Sequence, residues 1–354
     1  MKNIFRISCV LGVILTACTH AEQQSGENDG LVQVEFLAPQ VYGHVPSAPA
    51  TKAVGDIDDV LESLPITDLE DGSTLWLTYE LKNDNGTYEA PVLKPYSVRK
   101  SGGGYSSLYA CGHSIDGDMM MVTPEDAAQT SSPLYLKHDA VYRFRIISPA
   151  MPISAANLSM HVDNGDSFCA SDQRYEETAS TDTQIQATTT GVNYVNLNPM
   201  IQQTARLKFT LKKGSNVSSI RMMGNGVEIS GIQDPYLHNS DGESYNWSSM
   251  ELSDTLVMRL GDKTAWISLT GDKFTTDDEG NQVGEICILP TDARSNTVVI
   301  LLNMAVNGVP TQYITTLNKM VFEHAKSYNM TFTISLKDDI VVVNWQNISW
   351  TEDI

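Results

Sequence analysis

RLKFTLK, residues Arg206 to Lys212, alternates without a break: Leu207, Phe209 and Leu211 fall on one parity, and Arg206, Lys208, Thr210 and Lys212 on the other. Successive side chains of an extended chain point to opposite faces, so the segment predicts a strand with one face in a core and the other in water. MTFTISL (Met330 to Leu336) alternates likewise. Toward the N-terminus, LVQVEFL (Leu31 to Leu37) collects Val32, Val34 and Phe36 on one face, and LWLTYEL (Leu75 to Leu81) collects Leu75, Leu77, Tyr79 and Leu81. VYRFRIIS (Val141 to Ser148) sets Tyr142, Phe144 and Ile146 opposite Arg143 and Arg145. TVVILLN (Thr297 to Asn303) is apolar on both parities, which suits a central strand covered on both sides or one beside a domain interface.

Between these runs stand turn signals: Asn83-Asp84-Asn85-Gly86, Asp163-Asn164-Gly165-Asp166, Asn225-Gly226 and Asp278-Glu279-Gly280-Asn281. Short strands so punctuated predict an all-β protein of β-sandwich type. Helix signals are few. Asp56 to Leu64 has carboxylates in its first turn and Pro65 beyond it, and MIQQTA after Asn198-Pro199 reads as one more turn. The weakly patterned Glu176 to Thr190 and the Asn198-Pro199 hinge place a boundary near residue 200, giving β-sandwich domains over 31–199 and 200–354.

The first thirty residues read differently. Lys2 and Arg6 precede the apolar Ile7 to Leu15, the length of a signal-peptide core and too short to span a bilayer. The run closes on Leu15-Thr16-Ala17-Cys18, the pattern of a bacterial lipobox, in which the thiol accepts a diacylglyceryl group. Residues 1–17 are then a signal peptide and Cys18 the acylated first residue; the plain alternative is an ordinary secretory signal. Thr19 to Gly30 is polar and reads as a flexible tether over 18–30.

Loss of Lys2 and Arg6 takes the formal charge from −20 to −22 over the remaining 337 residues. Such a surface repels phosphate backbones, so a nucleic-acid partner is not expected. Cys111, Cys169 and Cys287 remain in the folded part. Cys111 and Cys169 could pair, but spacing alone does not bring their Cα atoms together, and the absence of any bridge is the other reading.

Catalytic and cofactor patterns are missing. Cys111, His113, Ser114, Asp116 and Asp118 lack the paired spacing of a zinc site and depart from a calcium loop after Asp118. No G-x-S-x-G is present, and Gly102-Gly103-Gly104 lacks the Lys-Ser/Thr of a phosphate loop. The expectation is a protein that is not an enzyme and carries no cofactor. Tyr236, Tyr245 and Trp247 form an aromatic-bearing polar stretch that could stack on sugars or simply pack.

Four segments resemble the fimbrillin-like proteins of Bacteroidales, the subunits and anchors of type V pili. They are APATKAVGD (Ala48 to Asp56), VYRFRIISPA (Val141 to Ala150), TARLKFTLKKGSNVSSIRMMG (Thr204 to Gly224) and AKSYNMTFTISLKDDIVVVNWQNISW (Ala325 to Trp350). Ala325 departs from the glycine expected before Lys-Ser-Tyr. The resemblance implies two tandem transthyretin-like β-sandwich domains and assembly by strand exchange. In that scheme a protease cuts after Lys52, the strand Leu31 to Leu37 leaves, and a C-terminal strand of another subunit, bearing Ile340, Val342 and Ile348, fills its groove. It further implies a fimbrial, adhesive protein on the outer membrane whose partners are other pilus subunits and a surface glycan or protein. The alternative is a carbohydrate-binding lipoprotein of a glycan-uptake system.

Overall fold

The computed structural model describes residues 30–42, 66–101, 106–123, 133–156, 158–172, 181–187, 191–234, 236–238, 244–247, 249–251, 258–259, 264–291, 297–318, 321–338, 340–345 and 349–351. Among them the fold is all-β, with one short 3-10 turn at Gly271–Lys273. Asp56 to Leu64 lies outside the described residues.

Strands of the second half enclose a core between two sheets. One sheet runs Thr275–Thr276, Gln282–Ile288, Ala205–Lys213, Ser327–Lys337, Ile340–Trp345; the other runs Thr264–Leu269, Ile220–Gln233, Thr297–Val306, Val309–Asn318. The alternation predicted for Arg206 to Lys212 holds, with Leu207, Phe209 and Leu211 fully buried. They meet Val227, Ile229, Val298, Ile300 and Leu302 of the facing sheet. Thr297–Val306 is central, as its double-sided apolarity suggested, though its outer parity is only half-buried.

The first half builds one twelve-stranded sheet around its own core. Its path is Val192–Asn196, Leu31–Leu37, Ser106–Ala110, Val92–Lys100, Thr74–Leu81, Ala140–Ser148, Cys169–Ala170, Met200–Gln202, Gln40–Tyr42, Ile66–Asp68. A third cluster, around Trp76, Ile147 and Phe168, takes in Leu289 from the second half. A further sheet also draws on both halves, because Ser159–His161 pairs with Ser249–Glu251.

Three local expectations change. Met200–Gln202 is a strand, not a helical turn: it pairs with Cys169–Ala170 on one side and Gln40–Tyr42 on the other, and these ladder bonds outweigh one turn after a proline. Asn225-Gly226 does not end a strand but forms a bulge inside Ile220–Gln233, where the register jumps between Met222 and Val227. Thr181–Ile185, within the stretch read as an interdomain connection, pairs with Ala140–Phe144.

The polar face expected on Val141 to Ser148 is also buried in part. Arg145 is fully buried and Arg143 nearly so, because the second face of Thr74–Leu81 is covered at Trp76, Thr78 and Glu80. Glu80 answers both cations, accepting from Arg143 Nε at 2.6 Å and Arg145 Nη1 at 3.0 Å. A buried charge is tolerated only when so paired.

Candidate assembly surface

The N-terminal strand Leu31–Leu37 is held from both sides by distant chain. Gln33 to Leu37 run parallel to Val192 to Asn196, while Leu31 to Val34 run antiparallel to Leu134–Lys137 and Leu37 meets Ser107. Its inward residues are Val34 and Phe36, both almost fully buried. Phe36 lies edge-on to Tyr96 and Phe144, with ring centroids 5.7 and 5.2 Å away. Gln40–Tyr42 continues the same segment, burying Val41 between Ile66–Asp68 and Met200–Gln202. Every ladder that holds residues 31–42 among the described residues is therefore non-local, and withdrawal of the segment would leave an apolar, hydrogen-bond-hungry groove.

The C-terminal strands occupy a sheet edge. Ile340–Trp345 pairs antiparallel with Phe332 to Lys337, and Ser349–Thr351 with Ser327 to Asn329, so both lie along the same neighbour. Val341 and Val343 pack on the core of the second half, whereas Ile340 and Val342 face outward, 67% and 37% exposed. The proposed donor residues thus form an apolar stripe on the outer face of an edge strand. Ile348 lies outside the described residues, as do Cys18 and Lys52.

Cys111 and Cys169 are both free thiols. Cys111 follows the end of Ser106–Ala110, a strand four steps from Cys169–Ala170 in the order of the sheet. Cys111 Sγ donates instead to the Tyr109 carbonyl at 3.7 Å, and Cys169 Sγ to that of Ser148 at 3.4 Å. Burial pushes the Cys169 thiol up to about 12. His113, Ser114, Asp116 and Asp118 sit along the hairpin Gly112–Asp116/Met119–Thr123 or at its turn, and among the described residues no group of His, Cys, Asp and Glu could hold a metal ion. Tyr236 and Trp247 are register partners in the hairpin Tyr236–His238/Ser244–Trp247, with Tyr245 on the same strand as Trp247.

The model of the family described as fimbrillin-like matches residues 31–354, from the N-terminal strand onward. The chain belongs to the fimbrillin-like family. Among solved structures, a candidate cell adhesion protein from Bacteroides fragilis is 34% identical to this fimbrillin-like chain, covering 91% of it and 99% of its own length at a TM-score of 0.66. A candidate cell adhesion protein from Bacteroides ovatus covers 89% of the chain and 96% of its own, at 10% identity and a TM-score of 0.48. A fimbrial assembly protein from Parabacteroides distasonis covers 91% and 97%, at 10% identity and a TM-score of 0.36. No curated protein matches the chain. Family membership agrees with a surface or fimbrial location.

Proposed function

We propose that this fimbrillin-like protein is a non-enzymatic pilus subunit or anchor of the outer membrane, delivered as a lipoprotein through Cys18 and assembled by β-strand exchange in cell adhesion. The observation that carries the reading is the pairing of complementary parts. Residues 31–42 fill a groove that only non-local contacts close. At the other end of the chain, an edge strand offers apolar residues at the same two-residue spacing as Val34 and Phe36. Each of those buried side chains contributes about 1.5–3 kcal/mol, so an incoming strand must restore that burial as well as the ladder.

In this reading, cleavage after Lys52 frees the segment that bears both Leu31–Leu37 and Gln40–Tyr42. An uncut subunit keeps its lipid and acts as an anchor; a cut one exchanges its strand and joins the shaft. Unboiled gels of trypsin-treated protein test the scheme. A ladder of multimers is expected, lost when residues 340–354 are deleted and absent from Lys52→Ala. A ladder that survives either change sinks the exchange mechanism. Palmitate labelling that persists in Cys18→Ser sinks the anchor.

A further inference from the structure

The outer face of the four-stranded sheet of the second half carries a polar cluster that strand exchange leaves unused. The bulge in Ile220–Gln233 is built on glycine: Gly224 and Gly226 have φ of +51° and +62°, and a Cβ on Gly226 would lie 2.1 Å from the Leu269 carbonyl oxygen. The bulge sets Asn225 beside Asn303 and Gln312, which are register partners on the two neighbouring strands. Asn225 and Asn303 each donate an amide N–H to Glu228, Asn303 at 3.5 Å, and Gln312 donates to Asn303 Oδ1 at 2.8 Å.

Two amides are thereby held by one carboxylate and a third, that of Gln312, by Asn303, at a cavity of about 630 Å³ with Met223 and Pro310 in its wall. Glu228 spends both oxygens inside the cluster. Asn225 and Gln312 keep a carbonyl oxygen and an amide N–H each with no partner among the described residues. Each is a side-by-side donor and acceptor, able to hold adjacent hydroxyls.

The same face supplies apolar contact. Leu301 stands opposite Glu228 and beside Ile314, itself 63% exposed. Trp266, 65% exposed, pairs with Ser230 and is therefore the diagonal neighbour of Glu228, at about 7–8 Å. Trp266 stands outside the cavity wall, farther along the same face, on a strand three steps from that of Gln312. Amides at a depression with an exposed indole farther along the face match a chain of pyranoses, with hydroxyls on their rims and C–H groups on their faces. Charge narrows the class. Among the described residues no cation lines the cavity, Arg221 on the same face stands outside it, and Glu228 in a chain of net charge −20 disfavours an acidic ligand.

We propose that this cavity binds a neutral oligosaccharide, with Asn225 and Gln312 holding hydroxyls of one ring and Trp266 stacking on a ring farther along the same chain. The proposal deepens the adhesion reading by naming what the surface holds to, and does not depend on strand exchange. Calorimetric titration of the full chain carrying Cys18→Ser with lactose, sialyllactose and the tetrasaccharides lacto-N-tetraose, chitotetraose and mannotetraose tests it.

Saturable binding of at least one neutral tetrasaccharide is expected, weakened about tenfold or more in Asn225→Ala/Gln312→Ala and severalfold in Trp266→Ala, the order of effect of losing polar partners or a stacking ring. Sialyllactose should bind less tightly than lactose. No neutral binding at millimolar sugar, undiminished binding by the variants, or a preference for sialyllactose overturns the proposal. Trp266 is exposed, so its variant answers the question even where the double variant fails to fold. Multimer laddering should persist in Trp266→Ala, separating loss of the sugar site from loss of assembly.

Discussion

Arg145 donates from Nη1 to Oε1 of Glu80 at 3.0 Å, and neither side chain reaches solvent. The pair joins Ala140–Ser148 to Thr74–Leu81 beneath Arg143, whose guanidinium lies 3.6 Å from the centroid of the Tyr88 ring. Glu80→Ala leaves Arg145 buried without its carboxylate, a loss of about 3–5 kcal/mol. The combined Glu80→Leu/Arg145→Met should recover most of it, because two apolar groups replace two desolvated charges. Urea denaturation of the three proteins checks both statements; equal losses in the single and combined variants would contradict them.

Phe36→Ala should cost about 3–5 kcal/mol, since the ring is buried against Tyr96 and Phe144. The loss belongs to the N-terminal strand in particular. Hydrogen exchange is expected to quicken first in residues 31–37 and in their partner Val192–Asn196, with the second half protected as before.

Asn164 acts as a clasp between the two halves. Its Nδ2 donates to the Gln233 carbonyl at 2.7 Å, its Oδ1 accepts from Leu289 N–H at 2.9 Å, and Gly165 N–H donates to the Cys287 carbonyl at 2.8 Å. Leu289 is buried, so Asn164→Ala strands a main-chain donor at a cost of about 1–3 kcal/mol. Asn164→Asp keeps the acceptor for Leu289 and should lose less than the alanine. Thermal melts of the two variants distinguish these outcomes.

Cys169 should resist thiol reagents in the folded protein while Cys111 reacts. Burial raises both thiols above their ordinary value, but Cys169 is enclosed and reaches about 12, whereas Cys111 is half-buried. The folded-state value being the higher, the contribution of Cys169 to stability is complete below its ordinary value near 9.0 and is lost as pH rises from there through about 12. Iodoacetamide at pH 8 followed by peptide mapping should find label on Cys111 early and on Cys169 only after unfolding.

Much of this was legible in the one-dimensional pattern. A two-residue period needs no partner to be recognised, because the strand geometry that produces it is local. Leu207, Phe209 and Leu211 are buried as the alternation required, and Asn83 to Gly86 and Asp278 to Asn281 turn where their residue types allow a positive φ or a side-chain cap. The polar pattern was harder to read. Arg145 alternates like a surface residue, yet Glu80, 65 positions away, makes its burial tolerable. Asn225-Gly226 has the composition of a hairpin tip, and only the pairing with Thr297–Val306 that resumes after it makes it a bulge.

The sequence by itself determined the all-β class, the inward parity of the main strands and membership in a fimbrillin-like family, because each depends on near neighbours or on the order of segments. The tertiary structure decided which strands meet. It set Leu31–Leu37 parallel to Val192–Asn196, put Ile340 and Val342 on the open side of an edge, left Cys111 and Cys169 unbridged, and linked Glu228, Asn225, Asn303 and Gln312 in one chain of hydrogen bonds. Strand pairing is a competition among all available edges, settled by the ladders and burial of the whole chain, and no local period records its outcome.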